Sequence, residues 1–251
     1  MSDQLTGHSE MLAGRSSMTT WQVALAVSVL VATWVAVSFY QHTALHQDMA
    51  EQFVWVHGWQ WGYPKHPPLP TWLFRAALEI LPPDPALLYG LAALCISLTG
   101  VFTFLMAREL LGRRLALQVI LLWSLQQPFS WRAWLYNHNT VLVMCIAATA
   151  WCGLVANKRS DWRWWLGAGV AAGLALLTKA QALVPLAGIA WALWRSDAFQ
   201  SVATRRGIVM AAGIGLLLCV PWLSWVIVGG HNDVFIYASH QLGGGDCRRA
   251  E

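Results

Sequence analysis

The chain has 251 residues, 57% of them hydrophobic and 11% charged, with a formal net charge of +4. A soluble domain carries roughly 25% charged residues, so these figures exclude a soluble core, and nothing in them points to a nucleic-acid partner. The 17 Trp residues suit a membrane–water interface, where an apolar ring with one N–H donor is well placed.

Seven uncharged runs follow in order: Trp21–Gln47, Ala86–Ala107, Leu115–Trp131, Thr140–Asn157, Trp164–Thr178, Ala180–Trp194 and Gly207–His231. A membrane span needs roughly 17 to 25 apolar residues. Five runs supply that, the first ending near Tyr40. Trp164–Thr178 and Ala180–Trp194 hold 15 residues each, parted by Lys179. They read as two short helices, because one long helix would put Arg195, Arg205 and Arg206 on the outer side, against the positive-inside bias. With seven spans and a cytoplasmic N-terminus, the inner loops 108–114, 157–163 and 195–206 carry three Lys/Arg each, whereas the long outer loop 41–85 has only Lys65 and Arg75. The expected fold is all-α: a polytopic bundle of about seven spans, with an outer juxtamembrane loop carrying short interfacial helices.

Around that bundle, residues 1–20 read as a polar, disordered cytoplasmic tail. Residues 21–228 form the transmembrane domain and 229–251 an outer C-terminal segment. Trp21–Phe39 is longer than the apolar region of a secretory signal and shows no cleavage site, so it is expected to be a retained first helix. The ending GGGDCRRAE reads as an N-terminal portion of a longer protein or a frameshifted product. Cys95, Cys145, Cys152 and Cys219 fall inside spans and read as packing residues. The Gly169–Gly173 pair is a small-xxx-small match for close helix packing.

The segment 48–72, DMAEQFVWVHGWQWGYPKHPPLPTW, gathers acids, a lysine, histidines and aromatics beside the bilayer. Asp48 and Glu51 share one helical face, either as a solvated N-terminal charge pair or as catalytic acids. Trp55, Trp59, Trp61 and Tyr63 are spaced for an interfacial helix. Pro67 and Pro68 impose extended geometry on the residues before them, so Lys65 and His66 sit in a stiff elbow, either a plain turn or a cation presented to a phosphate.

This segment resembles the first extracytoplasmic loop of glycosyltransferase family 39 and its bacterial relatives, membrane-embedded GT-C enzymes in which an acidic motif precedes a WGY-x-x-HPP-L segment. LYNHNTVL at 135–142 and GLALLTKAQALVPLAG at 173–188 resemble two further outer stretches of that family. The resemblance implies a GT-C-like fold in the bacterial inner membrane. It also implies transfer of a sugar from a polyprenyl-phosphate donor to an acceptor hydroxyl, of lipid or protein, at the outer face.

In that reading Asp48 is the general base, since a carboxylate can accept the acceptor's proton as attack proceeds. Many relatives have Asp-Glu adjacent, whereas Met49 follows here and the second acid is Glu51, which would orient Asp48 or the acceptor. Lys65, His66 and Lys179 are the candidates for stabilising the leaving phosphate; Lys179 otherwise reads as a snorkelling turn residue. Asn137 and Asn139 suit sugar hydroxyls or a helix cap, and Tyr63 joins the substrate-binding set. His138 reads as a turn residue. His42, His46 and His57 fit no metal-ligand spacing, so no cofactor is assigned; relatives differ on metal use. The competing readings are a non-catalytic transporter or flippase of lipid-linked sugars, and an inactive fragment of the transferase.

Overall fold

The structure, a computed structural model, describes residues 18–229; the expected N-terminal tail up to residue 17 and the C-terminal segment from 230 lie outside them. The described residues are helical and form no strand. The helices are α1 Thr20–Gln41, α2 Gln47–Trp55, α3 Leu69–Leu78, α4 Ala86–Leu111, α5 Arg113–Ser124, α6 His138–Arg159, α7 Trp162–Leu176, α8 Leu183–Arg195 and α9 Val202–Val228.

Four of them, α1, α4, α6 and α9, are long and apolar enough to cross a membrane. In α1 the buried residues Val23, Val27, Val31 and Val35 recur every fourth position, a narrow stripe on one face of the helix. Most of the rest is exposed apolar surface, as in Trp21, Leu25 and Val29, which suits lipid. Between α4 and α5, Gly112 takes φ +80°, a conformation that costs glycine little. The chain reverses there.

Helices α7 and α9 approach as the small-residue pattern implies. A Cβ at Gly169 would meet the Ala211 backbone oxygen at 2.7 Å, and one at Gly173 would meet Gly215 Cα at 3.1 Å. Cys95, Cys145 and Cys219 are buried and Cys152 half-buried, all four as free thiols.

Two expectations change. The uncharged run 115–131 is helical only to Ser124; a 3-10 turn at Gln127–Phe129 and further turns carry the chain to α6. Pro128 lies inside that turn, and proline cannot donate to a continuing helix. The aromatic series 55–63 is not a helix either. Helix α2 stops at Trp55, and residues 57–68 are turns and irregular backbone, broken by Gly58, Gly62, Pro64 and the Pro67-Pro68 pair. Trp55 stacks on the buried Tyr63, at 5.7 Å between centroids, while Trp59 and Trp61 stay exposed.

The bundle has two chemically distinct ends. At one, Arg108 donates to Thr20 Oγ1 at 2.8 Å, Lys158 and Arg159 lie within 4 Å of Glu109, and Thr204 donates to Asn157 at 3.1 Å. At the other, Tyr136 donates its hydroxyl hydrogen to the Pro70 carbonyl at 2.7 Å, and Leu69 N–H bonds the Leu177 carbonyl at 2.9 Å. Among the described residues the candidate spans are the four long helices α1, α4, α6 and α9. Lys179 falls at the turn between α7 and α8, as two short helices require. Helices α5, α7 and α8 have 12, 15 and 13 residues, below the roughly 20 of a full span.

Candidate active site

Helix α2 is opened by His46, whose Nδ1 accepts from Asp48 N–H at 3.2 Å. Asp48 therefore lies in the first turn, where the helix dipole favours a carboxylate, and Glu51 follows on the same face. Both point into a cavity of about 310 Å³ at the polar end of the bundle. Gln47, Lys65 and His66 line it from the same loop; Asn137, His138 and Asn139 line it from the start of α6, and Lys179 from the α7–α8 turn.

Side-chain bonds stitch these segments together. Asn137 is the N-cap of α6: its Oδ1 accepts from Thr140 N–H at 3.1 Å. Its amide Nδ2 at the same time donates to Asp48 Oδ2 at 2.9 Å. The helix cap that the sequence offered is made, and the other end of the same amide holds Asp48. Lys179 Nζ donates to Asn139 Oδ1 at 3.2 Å. Lys65 forms an ion pair with Glu51, and Gln47 Nε2 donates to the same carboxylate at 3.4 Å. Thus Glu51 is engaged with a cation, while Asp48 is held by a neutral amide.

The elbow at Lys65-His66 is pinned by the Tyr63 N–H, which bonds the His66 carbonyl at 3.2 Å. Tyr63 itself is the exception among the expected site residues. It is buried, its hydroxyl donates to the Gly58 carbonyl at 3.1 Å, and it does not line the cavity. It supports the loop from beneath, and burial raises its pKa.

Burial, reinforced by the Lys179 charge and opposed by Glu51, lowers the His66 pKa from 6.5 to about 4, so His66 is neutral at pH 7. Burial also lowers the Lys179 pKa, against the pull of Asp48.

His138, which the sequence suggested was a turn residue, is a cavity-lining group. It is 6% exposed, its ring lies 3.9 Å from that of His66, and Trp55 packs edge-on at 5.9 Å. The signal that marks it is position: it stands between two asparagines that both reach into the site. Gln47 was missed for lack of any signal beyond its place beside Asp48. Among the described residues no group of three or more His, Cys, Asp or Glu is placed to hold a metal ion.

A polar cavity with two carboxylates and two lysines thus lies at one end of an apolar helical bundle. The family model described as dolichyl-phosphate-mannose-protein mannosyltransferase matches residues 65–225, more than half of the chain, and the chain belongs to that family. The match takes in Lys65, His66, Asn137, Asn139 and Lys179; Asp48 and Glu51 lie before it and are tied to it by the Asn137 and Lys65 contacts. Among curated proteins no relative matches. The chain is thus a membrane glycosyltransferase of the GT-C type.

Proposed function

We propose that this protein transfers a sugar from a polyprenyl-phosphate donor to an acceptor hydroxyl, with Asp48 as general base. The observation that carries the reading is the Asn137–Asp48 hydrogen bond, which holds one carboxylate oxygen of a residue that lines the cavity together with Lys65 and Lys179. The acceptor oxygen attacks the anomeric carbon and its proton passes to Asp48. The carbon–oxygen bond to the phosphate breaks, and its electron pair leaves with the phosphate, whose added charge Lys179 and Lys65 stabilise. Glu51 acts through Lys65, holding the ammonium in place.

The lipid part of the donor has a matching path. A second cavity of about 300 Å³ shares Asn137 and Asn139 with the site. It shares Val143 with a largely apolar groove of about 780 Å³ between α4, α5, α6 and α8. A polyprenyl chain fits such a groove while its phosphate stays at the polar end.

In this reading the chain crosses the bacterial inner membrane seven times with the cavity outside and the basic loops in the cytoplasm. The acceptor is a lipid or protein hydroxyl. Cysteine labelling with an impermeant reagent tests the orientation in a cysteine-free variant: Gln60→Cys is expected to react in intact cells and Ser201→Cys to be protected, and the reverse pattern overturns it. The chemical assignment is tested by Asp48→Asn, which keeps shape and removes basicity. Transfer is expected to fall on the order of 10²- to 10⁴-fold with membrane insertion unchanged, and near-normal transfer removes the assignment.

A further inference from the structure

The base, the phosphate and the lipid chain leave the His66–His138 pair without a role. His138 Nε2 is buried and has no hydrogen-bond partner, although the side chain lines the polar cavity. An unpaired buried nitrogen carries a desolvation cost that persists in the empty protein and is relieved by a ligand that bonds to it. Native interiors rarely leave such a group unmatched. The ring is fixed by its place in the first turn of α6, by the His66 ring at 3.9 Å and by Trp55.

We propose that His138, held against His66, binds a hydroxyl of the donor's sugar through Nε2 and thereby distinguishes a sugar-loaded polyprenyl phosphate from the bare carrier. This rests on the transferase reading above. A hydroxyl both donates and accepts, so it satisfies Nε2 in either tautomer of a neutral imidazole. The depressed pKa of the adjoining His66 agrees with an uncharged pair, which suits a neutral hydroxyl better than an anion. The donor is favoured over the acceptor by neighbourhood. His66 follows Lys65 directly, and His138 precedes Asn139, which accepts from Lys179. A sugar esterified to a phosphate lying between those lysines is beside the two rings.

The test measures affinity of the purified protein for bare dolichyl phosphate and for its mannose, glucose and arabinose esters. In the parent the best-bound ester is expected to exceed the bare phosphate by roughly 5- to 10-fold, the worth of one hydrogen bond to a buried group. His138→Phe keeps the ring and deletes the nitrogens. It is expected to abolish that preference, leave affinity for the bare phosphate unchanged, and hold or raise the thermal midpoint, because a buried unpaired polar atom is gone. If phenylalanine is not accommodated, His138→Leu carries the same readouts. A preference retained in the variants overturns the proposal, as does a parent that binds ester and bare phosphate equally, although the transferase reading survives that result. A parent that binds none of the four overturns both.

Discussion

The two ends of the bundle both collect charge, and they use it differently. At the basic end Glu109 is approached by Arg108, Lys158 and Arg159 at 3.6 to 3.9 Å. These groups lie on helix ends and stand partly in solvent, Arg159 at 56% exposure. At the polar end two acids and two lysines surround a cavity, and their partners come from residues 89 and 40 positions away in the chain. Charge density alone does not mark a site. Enclosure does, together with convergence of remote segments on one volume.

The largest expected break in this comparison comes from matched neutralisations. Asp48→Asn is expected to remove transfer by the factor given above, whereas Glu109→Gln leaves the rate within about twofold and costs no more than about 1 kcal/mol, since exposed pairs are weak. Comparable losses of rate from both would mean that the basic end takes part in catalysis.

Acidification separates the ends next. His66 titrates near 4 in the folded protein against its ordinary 6.5, so between those values the unfolded chain binds a proton that the folded one refuses. Its contribution is therefore fully present above about pH 6.5 and is lost as pH falls towards 4, by up to about 3 kcal/mol. Thermal midpoints of the detergent-solubilised protein at pH 7.5 and 4.5 measure this. The drop is expected to shrink in His66→Phe, and an undiminished drop would assign it to other groups.

The smallest effect distinguishes the two lysines. Among the described residues Lys179 forms no ion pair with a carboxylate, whereas Lys65 already pairs with Glu51. Lys179→Met is expected to weaken binding of the polyprenyl-phosphate ester about 10-fold, and Lys65→Met to weaken it less, with the acceptor KM little changed in either. Equal affinities in both variants and the parent would reduce the lysines to anchors.

Much of this was legible from composition and charge. The hydrophobic runs gave the four long helices, and Lys179 between two short runs gave a turn, because apolar length and isolated charge are local properties. Leu115–Trp131 misled for the same reason, since an uncharged run reports solvent preference and says little about where proline and glutamine end a helix. The aromatic spacing at 55–63 likewise ignored the glycines and prolines between the rings. Polar residue types were legible, and one cavity brings together all of the expected set except Tyr63. Their pairing was not legible, because whether Asp48 meets an amide or a lysine depends on how α2 and α6 pack. His138 was hidden in the same way, its unpaired nitrogen being a property of the assembled cavity.

The stitching of remote segments has a consequence for biogenesis. Asp48 is synthesised early, but its amide partner emerges 89 residues later, and Lys179 lies 40 residues beyond Asn139, to which it bonds. A nascent chain arrested within α6 therefore has Asp48 and Lys65 but not Lys179, the second lysine of the cavity. The lining of the cavity is complete only late in translation, once the α7–α8 turn has been made.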